Sequence, residues 1–241
     1  MLIFKGDRDL TSDVDITVEE FVRNFLRKHT PDIVFLGEEG GGTNQSDGLR
    51  WVLDPIDGTI NFLHGLPLCA VSLSLLRDDI ALVGVIDMPF LGTQYYALSD
   101  HGSYVNSQRL YVSDTRTLNT ALVSIDQYTF GAGTQRTNQI RRRLIEHLAP
   151  HVQRVRMLGA SAIDLAWTAH GRLDACIMLG NKPWDTSAGV LIAREAGARV
   201  LDLHGANHAT DSSATIAVTP SLEHKLMAAV RAALASVAVA E

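Results

Sequence analysis

The hydrophobic positions of the chain follow two rhythms. In residues 16–29 apolar side chains recur every three or four positions, which predicts an amphipathic helix with charges on its opposite face and Asp15 as its N-cap. Short strands are predicted at 33–36 and 49–53. Residues 40–48 are rich in Gly, Ser and Asn and lack periodicity, so we expect a loop over a site there.

The rest of the chain changes from a strand-rich pattern to an alternating one. Strands are predicted at 70–76, 81–88, 93–98 and 102–105, the first two as a hairpin. Strands then alternate with helices, the strands at 121–125, 155–158, 173–178 and 214–218 and the helices at 138–148, 162–170, 185–196 and from 221 onward. Such alternation favours crossover units. We therefore divide the chain into an α+β half, 1–115, and an α/β half, 116–241.

Composition and charge exclude several classes of protein. The 241 residues are 46% hydrophobic and 20% charged, which excludes a disordered chain, a collagen and a disulfide scaffold. A net charge of −6 argues against non-specific nucleic-acid binding. Cys69 and Cys176 lie in apolar runs, which predicts buried free thiols in a reducing compartment. No signal-like leader or spanning stretch is evident, so we expect a cytoplasmic protein that binds no membrane.

The candidate chemistry consists of acidic residues at the ends of apolar strands. Glu38 follows one predicted strand, Asp54 and Asp57 follow another, and Asp185 opens a helix after a loop. Carboxylates in such places are costly unless solvated or neutralised, and one hard divalent cation can neutralise several. Oxygen ligands suit Mg²⁺ or Mn²⁺, and the lack of a Cys/His cluster argues against zinc.

The turn after the second of these strands adds a possible anion site. Pro55 lies between the two aspartates, so that their carboxylates and the Ile56 carbonyl can converge. Gly58 and Thr59 then begin a turn whose free N–H groups could hold a phosphate.

Each of these features also has a purely structural explanation. Asp57 followed by Gly58 is a common hairpin turn. Asp15 and Asp185 could be helix caps, and Glu38 could belong to a solvated loop. The combination of the features favours the functional interpretation.

Three segments together resemble the signature of the inositol monophosphatase family. They are Gly-Glu-Glu at 37–39, Asp-Pro-Ile-Asp-Gly-Thr-Ile-Asn-Phe at 54–62 and Trp-Asp-Thr-Ser-Ala-Gly at 184–189, in the family's order and spacing. The resemblance runs from Asp9 to the C-terminal helix, although family members usually carry a further helix before this point. It implies an α+β fold with an αβαβα layer order and a homodimer. The implied activity is that of a Mg²⁺-dependent phosphoric monoester hydrolase.

The resemblance also implies a set of metal ligands. Glu38, Asp54 and the Ile56 carbonyl would bind one Mg²⁺, and Asp54, Asp57 and Asp185 would bind a second, with Asp54 bridging. Two such cations can clamp the attacking and leaving oxygens of a phosphoryl transfer.

Catalytic and substrate-binding roles follow from the same resemblance. Asp15 would orient the nucleophilic water or a weaker third metal ion, and Glu38 and Thr59 would activate and align that water. The N–H groups of Gly58 and Thr59 would stabilise phosphoryl oxygens. The implied substrate-binding residues are Glu38, Ile56, Asp57, Gly58, Thr59 and Asp185.

The substrate is not determined by these ligands, since relatives hydrolyse inositol, sugar, histidinol or nucleotide phosphates. One departure from the family's pattern bears on the identity of the substrate. Inositol-specific relatives carry a glutamate where this chain has Met178, which cannot accept strong hydrogen bonds from ring hydroxyls. Lys182 in the following loop could place a positive charge near a second anionic group.

Two other functions remain as alternatives. The residues 13–17 match the D-x-D-x-T motif of haloacid-dehalogenase-type phosphatases, with Asp13 as nucleophile. That motif needs a buried strand before it, and residues 6–12 are not expected to form one. The second alternative is a non-catalytic or moonlighting regulatory partner protein with the same fold.

Overall fold

The computed structural model describes residues 2–4, 10–42 and 47–238. Its helices are α1 Asp13–His29, α2 Thr59–Leu63, α3 Gln135–Leu148, α4 Ser161–Ala169, α5 Pro183–Glu195 and α6 Glu223–Ala238. Its strands are β1 Leu2–Phe4, β2 Leu10–Ser12, β3 Val34–Gly37, β4 Gly41–Gly42, β5 Leu49–Asp57, β6 Ala70–Arg77, β7 Ile80–Met88, β8 Thr93–Leu98, β9 Ser103–Val105, β10 Gln108–Arg109, β11 Leu122–Ile125, β12 Arg154–Arg156, β13 Ala175–Leu179, β14 Arg199–Leu201 and β15 Ala214–Val218. Asp9 and part of the predicted 40–48 loop lie outside the described residues.

The elements stack in five alternating layers. An eight-stranded sheet has the order β10-β9-β8-β7-β6-β5-β3-β4, and a five-stranded sheet has the order β12-β11-β13-β15-β14. Helices α4 and α5 lie between the two sheets, while α1 packs on the outer face of the first sheet against β5. Helices α3 and α6 cover the outer face of the second sheet. This αβαβα order follows because both sheets are apolar on two faces and each face needs a covering layer.

The alternation of side chains along β13 shows how the second sheet is buried on both faces. Ile177 and Leu179 belong to the core shared with α3 and α6, whereas Cys176 and Met178 belong to the core shared with α4 and α5. Successive side chains of a strand point to opposite faces, so one strand contributes to two cores. Both cysteines are buried and free, as the sequence predicted.

The start of α1 differs from the predicted one. The N-cap is Ser12, and Asp15 is the third helical residue, whose carboxylate accepts hydrogen bonds from the Ser12 N–H and hydroxyl. This capping box satisfies donors at the helix start, so Asp15 is held by the cap rather than being the cap. The described residues before α1 also form the antiparallel pair β1 and β2. A three-residue strand therefore does precede Asp13, contrary to expectation.

The second half is less regular than an α/β unit. Strands β12, β11 and β13 are parallel, but β15 is antiparallel to both β13 and β14. The sequence pattern missed β14, α2 and the two-residue strands. Helix α5, from the second half, packs against β6, β7 and β8 of the first half. The two-part division at residue 115 stays a prediction. None of the helices described is long and apolar enough to cross a bilayer.

Candidate active site

A cavity of about 270 Å³ opens between the two sheets, and nearly all of the predicted site residues line it. The first half contributes Glu38, Asp54, Ile56, Asp57, Gly58 and Thr59. The second half contributes Asp185 and also residues that the sequence pattern did not mark: Asp126, Arg141 and Asp164. Asp15 is fully buried beside this group rather than in its wall, and it reaches the cavity through Thr59.

A bulge in β5 brings two of the carboxylates together. Asp54 pairs with Ser72 and Asp57 with Ala70, so three steps along β5 face two steps along β6. In a regular strand, residues three apart point to opposite faces, and the extra residue of a bulge reverses this. Both aspartates are almost fully buried, with 3% and 8% of their surface exposed.

The cavity concentrates negative charge in a buried place. Burial raises the pKa of Asp54 well above its usual value, and the charges of Glu38, Asp57 and Asp185 raise it further. Burial likewise raises the pKa of Asp57 well above its usual value. The pKa of Asp185 rises to about 6 through burial, although the Lys182 N–H and charge oppose the shift. Three carboxyl groups with raised pKa values, next to the charge of Glu38, need a positive partner to be charged together.

The hydrogen-bonding state of Asp54 fits that need. Its Oδ1 atom is buried and has no hydrogen-bond partner among the residues that the structure describes. A buried acceptor without a partner is costly, and a cation is a partner that a carboxylate oxygen can take. The carboxyl groups do not already enclose an ion site, since no three Asp, Glu, His or Cys side chains in the described part of the chain form a closed ligand set.

Two of the acids are also bound by the starts of helices. The Asp57 carboxylate accepts hydrogen bonds from the N–H groups of Ser161 at 3.1 Å and Ala162 at 2.7 Å, in the first turn of α4. Asp185 accepts from the Lys182 N–H at 2.7 Å in a capping box at the start of α5. The predicted capping role of Asp185 therefore holds in part, with Lys182 as the N-cap. Both carboxylates are fixed in position, because each is held by backbone donors.

Thr59 and Asp15 form a connected pair. The Thr59 hydroxyl lies 3.1 Å from the Asp15 Oδ1 atom and 3.0 Å from the Ile56 carbonyl oxygen, so it can donate to either acceptor. The other Asp15 oxygen is held by Ser12. While the Thr59 proton points towards Asp15, the hydroxyl oxygen remains an acceptor for a molecule in the cavity.

Gly58 lets its turn lie close to Leu68 of the first half and Ala160 of the second half. Its φ of +85° lies in the left-handed region, and a Cβ atom there would come within 2.8 Å of the Leu68 carbonyl oxygen. Asn61 ties the same segment down, since its amide donates to the carbonyl oxygens of Leu68 and Leu158, both at 2.8 Å. Any other residue at position 58 would be strained and would push these segments apart.

Glu19 positions Glu38 and was missed from sequence. The helical pattern placed the charges of α1 away from the apolar face, but Glu19 is buried. Its carboxylate accepts hydrogen bonds from the N–H groups of Glu39 and Gly40, both at 2.8 Å, and it forms an ion pair with Arg23. The glutamate thus holds the turn that carries Glu38. Only the i, i+4 spacing to Arg23 hinted at it, and that spacing is typical of exposed pairs.

Three residues in the remaining wall of the cavity also lacked a sequence signal. Arg141 is fully buried and binds Asp126 with two hydrogen bonds, from Nε at 2.7 Å and from Nη2 at 2.6 Å. Asp164 is 2% exposed and accepts a hydrogen bond of 2.5 Å from the Ser124 hydroxyl. Met178 is 1% exposed and lines the same cavity, whereas Lys182 is exposed and is not part of the lining.

Comparison with known proteins agrees with this architecture. The family model described as the inositol monophosphatase family matches residues 4–235. Inositol monophosphatase 1 of Solanum lycopersicum is 32% identical over 95% of this chain and 85% of its own length. The fructose-1,6-bisphosphatase/inositol-1-monophosphatase of Aquifex aeolicus is 35% identical over 80% of this chain and 72% of its own. The crystal structure of the extragenic suppressor protein suhB of Bartonella henselae superposes with a TM-score of 0.89, at 31% identity over 96% of this chain and 88% of that one.

The layered α+β fold and the acidic cavity between its sheets thus define a phosphoric monoester hydrolase. The chain belongs to the inositol monophosphatase family, which confirms the resemblance of its three signature segments. The predicted fold class is confirmed as well. The haloacid-dehalogenase interpretation is not supported, because the chain belongs to a different family and Asp13 does not line the cavity.

Proposed function

We propose that this protein is a Mg²⁺-dependent phosphomonoesterase that hydrolyses a small phosphorylated metabolite by attack of water. The observation that carries the proposal is the set of buried carboxyl groups with raised pKa values around one cavity, together with the Asp54 Oδ1 atom, which no described residue hydrogen-bonds. The family is generally metal-dependent, which supports the same conclusion. Mn²⁺ is a plausible substitute because it prefers the same oxygen ligands.

The proposed metal ligands are Glu38, Asp54, Asp57, Asp185 and the Ile56 carbonyl oxygen. They would hold two ions, with a weaker third near Asp15. Bound there, the cations would lower the pKa of a bound water and neutralise charge on the phosphoryl oxygens.

The remaining roles belong to the chain itself. Thr59 would accept a hydrogen bond from the attacking water while donating to Asp15, and Glu38 would take part in removing the water proton. The N–H groups of Gly58 and Thr59, at the start of α2, would donate to the phosphoryl oxygens. Asp57 and Asp185 would face the substrate as well as the metal.

The wider setting of the enzyme is also a proposal. The family resemblance supports a homodimer, and the free buried cysteines support a reducing, cytoplasmic environment. A non-catalytic regulatory role is the alternative. Phosphate release from a panel of inositol, sugar, histidinol and nucleotide phosphates, with Mg²⁺ and with chelator, separates the two, since a regulator without catalysis would release none.

The Thr59–Asp15 pair yields a test of the nucleophile. Asp15→Asn should slow turnover by a factor of about 10²–10⁴, the usual contribution of a positioned proton acceptor. Asp13→Asn, two residues away on the exposed side of α1, is the matched control and should stay within a few-fold of wild type. The check is the steady-state kcat of both variants at saturating Mg²⁺. An inactive Asp13→Asn variant, with an aspartyl-phosphate trapped in the wild type, would contradict this assignment.

Met178 yields a test of specificity. Its thioether can pack on a ring but cannot accept strong hydrogen bonds from ring hydroxyls. We therefore expect kcat/KM for inositol 1-phosphate to be roughly ten- to a hundredfold lower than for a substrate whose polar groups are all hydrogen-bonded in the site. We expect kcat/KM for inositol 1-phosphate to lie within a few-fold of that for cyclohexyl phosphate, which has no hydroxyls. The argument fails if inositol 1-phosphate leads the whole panel by tenfold or more.

A further inference from the structure

A second cavity, of about 390 Å³, lies beside α5 and shares no lining residue with the active-site cavity. One wall is the turn between β6 and β7, and the other is the segment between β14 and β15. The Thr210 hydroxyl joins the two walls by donating to the Asp79 carbonyl oxygen at 2.6 Å. The shape of the second cavity is therefore fixed in the folded chain. Its floor consists of the buried residues Thr186, Ser187, Val190 and His208.

A chain of hydrogen bonds connects His208 in this floor with the wall of the active site. Asn181, which lines the active-site cavity, donates from Nδ2 to the Thr215 hydroxyl oxygen. The same hydroxyl lies 2.9 Å from Nε2 of His208, which is its other partner in the described part of the chain. Thr215 is fully buried, so water does not compete for these bonds. Because a hydroxyl has one proton, Thr215 accepts from Asn181 and donates to His208.

The direction of this chain determines where His208 carries its proton. Burial lowers the pKa of His208 to about 4, and the Arg194 charge adds to the shift. The charges of Asp202 and Asp211 oppose the shift, but the ring is still neutral at neutral pH. Since Nε2 accepts from Thr215, the proton of the neutral ring is on Nδ1. Nδ1 has no hydrogen-bond partner among the described residues, although only 7% of His208 is exposed. The floor of the second cavity thus presents an N–H donor that suits a ligand acceptor.

Arg194 places a positive charge at the edge of the second cavity, next to His208. Its Nη2 donates to the His208 carbonyl oxygen at 2.6 Å, and its side chain makes no other hydrogen bond or ion pair with the described residues. Burial lowers the pKa of Arg194, and no neighbouring carboxylate opposes the shift. A guanidinium has five N–H donors and binds a carboxylate through two of them. Arg194 and Nδ1 of His208 together suit a carboxylate.

Three aspartates also border the second cavity, so both signs of charge have to be balanced. The Asp79 carboxylate is neutralised by an ion pair with Arg50. Asp78 and Asp211 are exposed, and neither has a cationic partner within the described ranges. A ligand with negative charge alone would meet these two carboxylates, and a ligand with positive charge alone would meet Arg194. A zwitterion satisfies both.

We propose that the second cavity is a regulatory site for a free α-amino acid. The ligand carboxylate accepts hydrogen bonds from Arg194 and His208. The ligand ammonium group faces Asp78 and Asp211. The side chain of the ligand contacts the apolar part of the floor at Val190. This site lies apart from the proposed phosphomonoesterase site and leaves the chemistry assigned to that site unchanged.

Occupancy of the second cavity reaches the active site through the hydrogen-bond chain. A carboxylate at Nδ1 stabilises the tautomer of His208 whose Nε2 accepts from Thr215. That tautomer in turn holds the Asn181 Nδ2 atom on Thr215 and keeps the amide oxygen of Asn181 turned away from it. A ligand that favours one of two arrangements shifts the population of that arrangement at both sites. We therefore expect the amino acid to change kcat/KM.

The binding test uses matched ligands on the whole protein. Dissociation constants are derived from melting temperatures for the L-amino acids, and for the tightest one also for its deaminated acid and its decarboxylated amine at equal ionic strength. The amino acid should bind about tenfold or more tightly than either analogue, because each analogue leaves a charge unpaired. Arg194→Gln should weaken amino-acid binding by a similar factor. Arg199→Gln is the matched control, since Arg199 pairs with Glu223 outside the second cavity and should keep wild-type binding.

The coupling test measures hydrolysis of p-nitrophenyl phosphate with Mg²⁺, with and without the saturating amino acid. In the wild type kcat/KM should change by about twofold or more. Thr215→Val keeps the shape of the side chain but removes the hydroxyl, so the amino acid should still bind and should no longer change kcat/KM. Unchanged kcat/KM in the wild type, or an equal change in Thr215→Val, overturns the coupling.

The binding arm remains decisive whatever the variants do. If no L-amino acid binds more tightly than both of its analogues to the wild type, or if Arg194→Gln binds as the wild type does, the inference is overturned. Amino-acid binding should persist in Asp54→Asn without metal, because the two cavities share no lining residue. Loss of all Mg²⁺-dependent phosphate release would contradict the proposed function and leave this binding result intact.

Discussion

Asp54→Asn should abolish phosphatase activity and, in the absence of metal, make the folded protein more stable. The loss of activity follows because one carboxylate would serve two cations, and we expect kcat to fall by roughly 10³-fold or more, the scale of losing a preorganised electrostatic contact. The gain in stability follows because the Asp54 carboxyl is buried among three other acids, which raises its pKa well above the usual value. The amide keeps the shape and removes the charge.

The sign of the stability change depends on pH. A carboxyl group whose pKa is higher in the folded state than in the unfolded state stabilises the fold at low pH, and this contribution disappears as the pH rises through the folded-state value. The pKa values of Asp185 and Asp164 are about 6 and about 7, so the metal-free wild type should lose stability between about pH 4 and pH 7. The Asp54→Asn variant should lose less stability than the wild type over this pH range.

The measurement is thermal unfolding in chelator between pH 4 and pH 8, beside steady-state assays with Mg²⁺. Asp87→Asn is the matched control, since Asp87 lies in the same sheet on β7 but does not line the cavity. The control should keep wild-type activity and wild-type pH dependence of unfolding. Near-normal activity of Asp54→Asn at low Mg²⁺ would refute the bridging role, and a lower melting temperature at pH 8 would refute the electrostatic argument.

Mg²⁺ should raise the melting temperature, and by more at pH 8 than at pH 5. A ligand at one hundred times its dissociation constant stabilises the folded state by about 2.7 kcal/mol, which corresponds to roughly 5–10 °C for a protein of this length. The pH dependence arises because the carboxyl groups must lose their protons to bind a cation, and burial raises the pKa of Asp54, Asp57 and Asp185.

This shift is measured by scanning unfolding at saturating Mg²⁺ against NaCl of equal ionic strength, so that screening is the same in both. Addition of chelator should return the melting temperature to the metal-free value. Asp54→Asn should show a much smaller shift than wild type at pH 8. An equal shift at pH 5 and pH 8 would contradict binding to these carboxyl groups, and no shift at either pH would contradict the proposed metal site.

Local pattern was sufficient for much of the fold. The strands at 93–98 and 214–218 occur at the predicted residues, and the hairpin of β6 and β7 turns at Asp78 and Asp79, which take positive φ values. The reason is that period-two burial and turn chemistry are encoded in neighbouring residues. The motif around Asp54 and Asp57 could also be recognised from sequence. Three segments in a fixed order identify the family, even though each segment alone has a purely structural explanation.

Features that depend on partners distant in sequence are visible only in the folded chain. Glu19 and Arg141 have the pattern of solvent-facing charges, yet both are buried, because each meets backbone or side-chain partners that only the folded chain supplies. The bulge that turns Asp54 and Asp57 to one side depends on the pairing of β5 with β6. The amino-acid pattern was enough to predict the family, the layered fold class and four acidic residues of the cavity, Glu38, Asp54, Asp57 and Asp185. Only the packing of the two sheets brings Asp164 and Arg141, which is bound to Asp126, into the cavity wall. The reason is that charge balance is a property of the assembled site and not of any one segment.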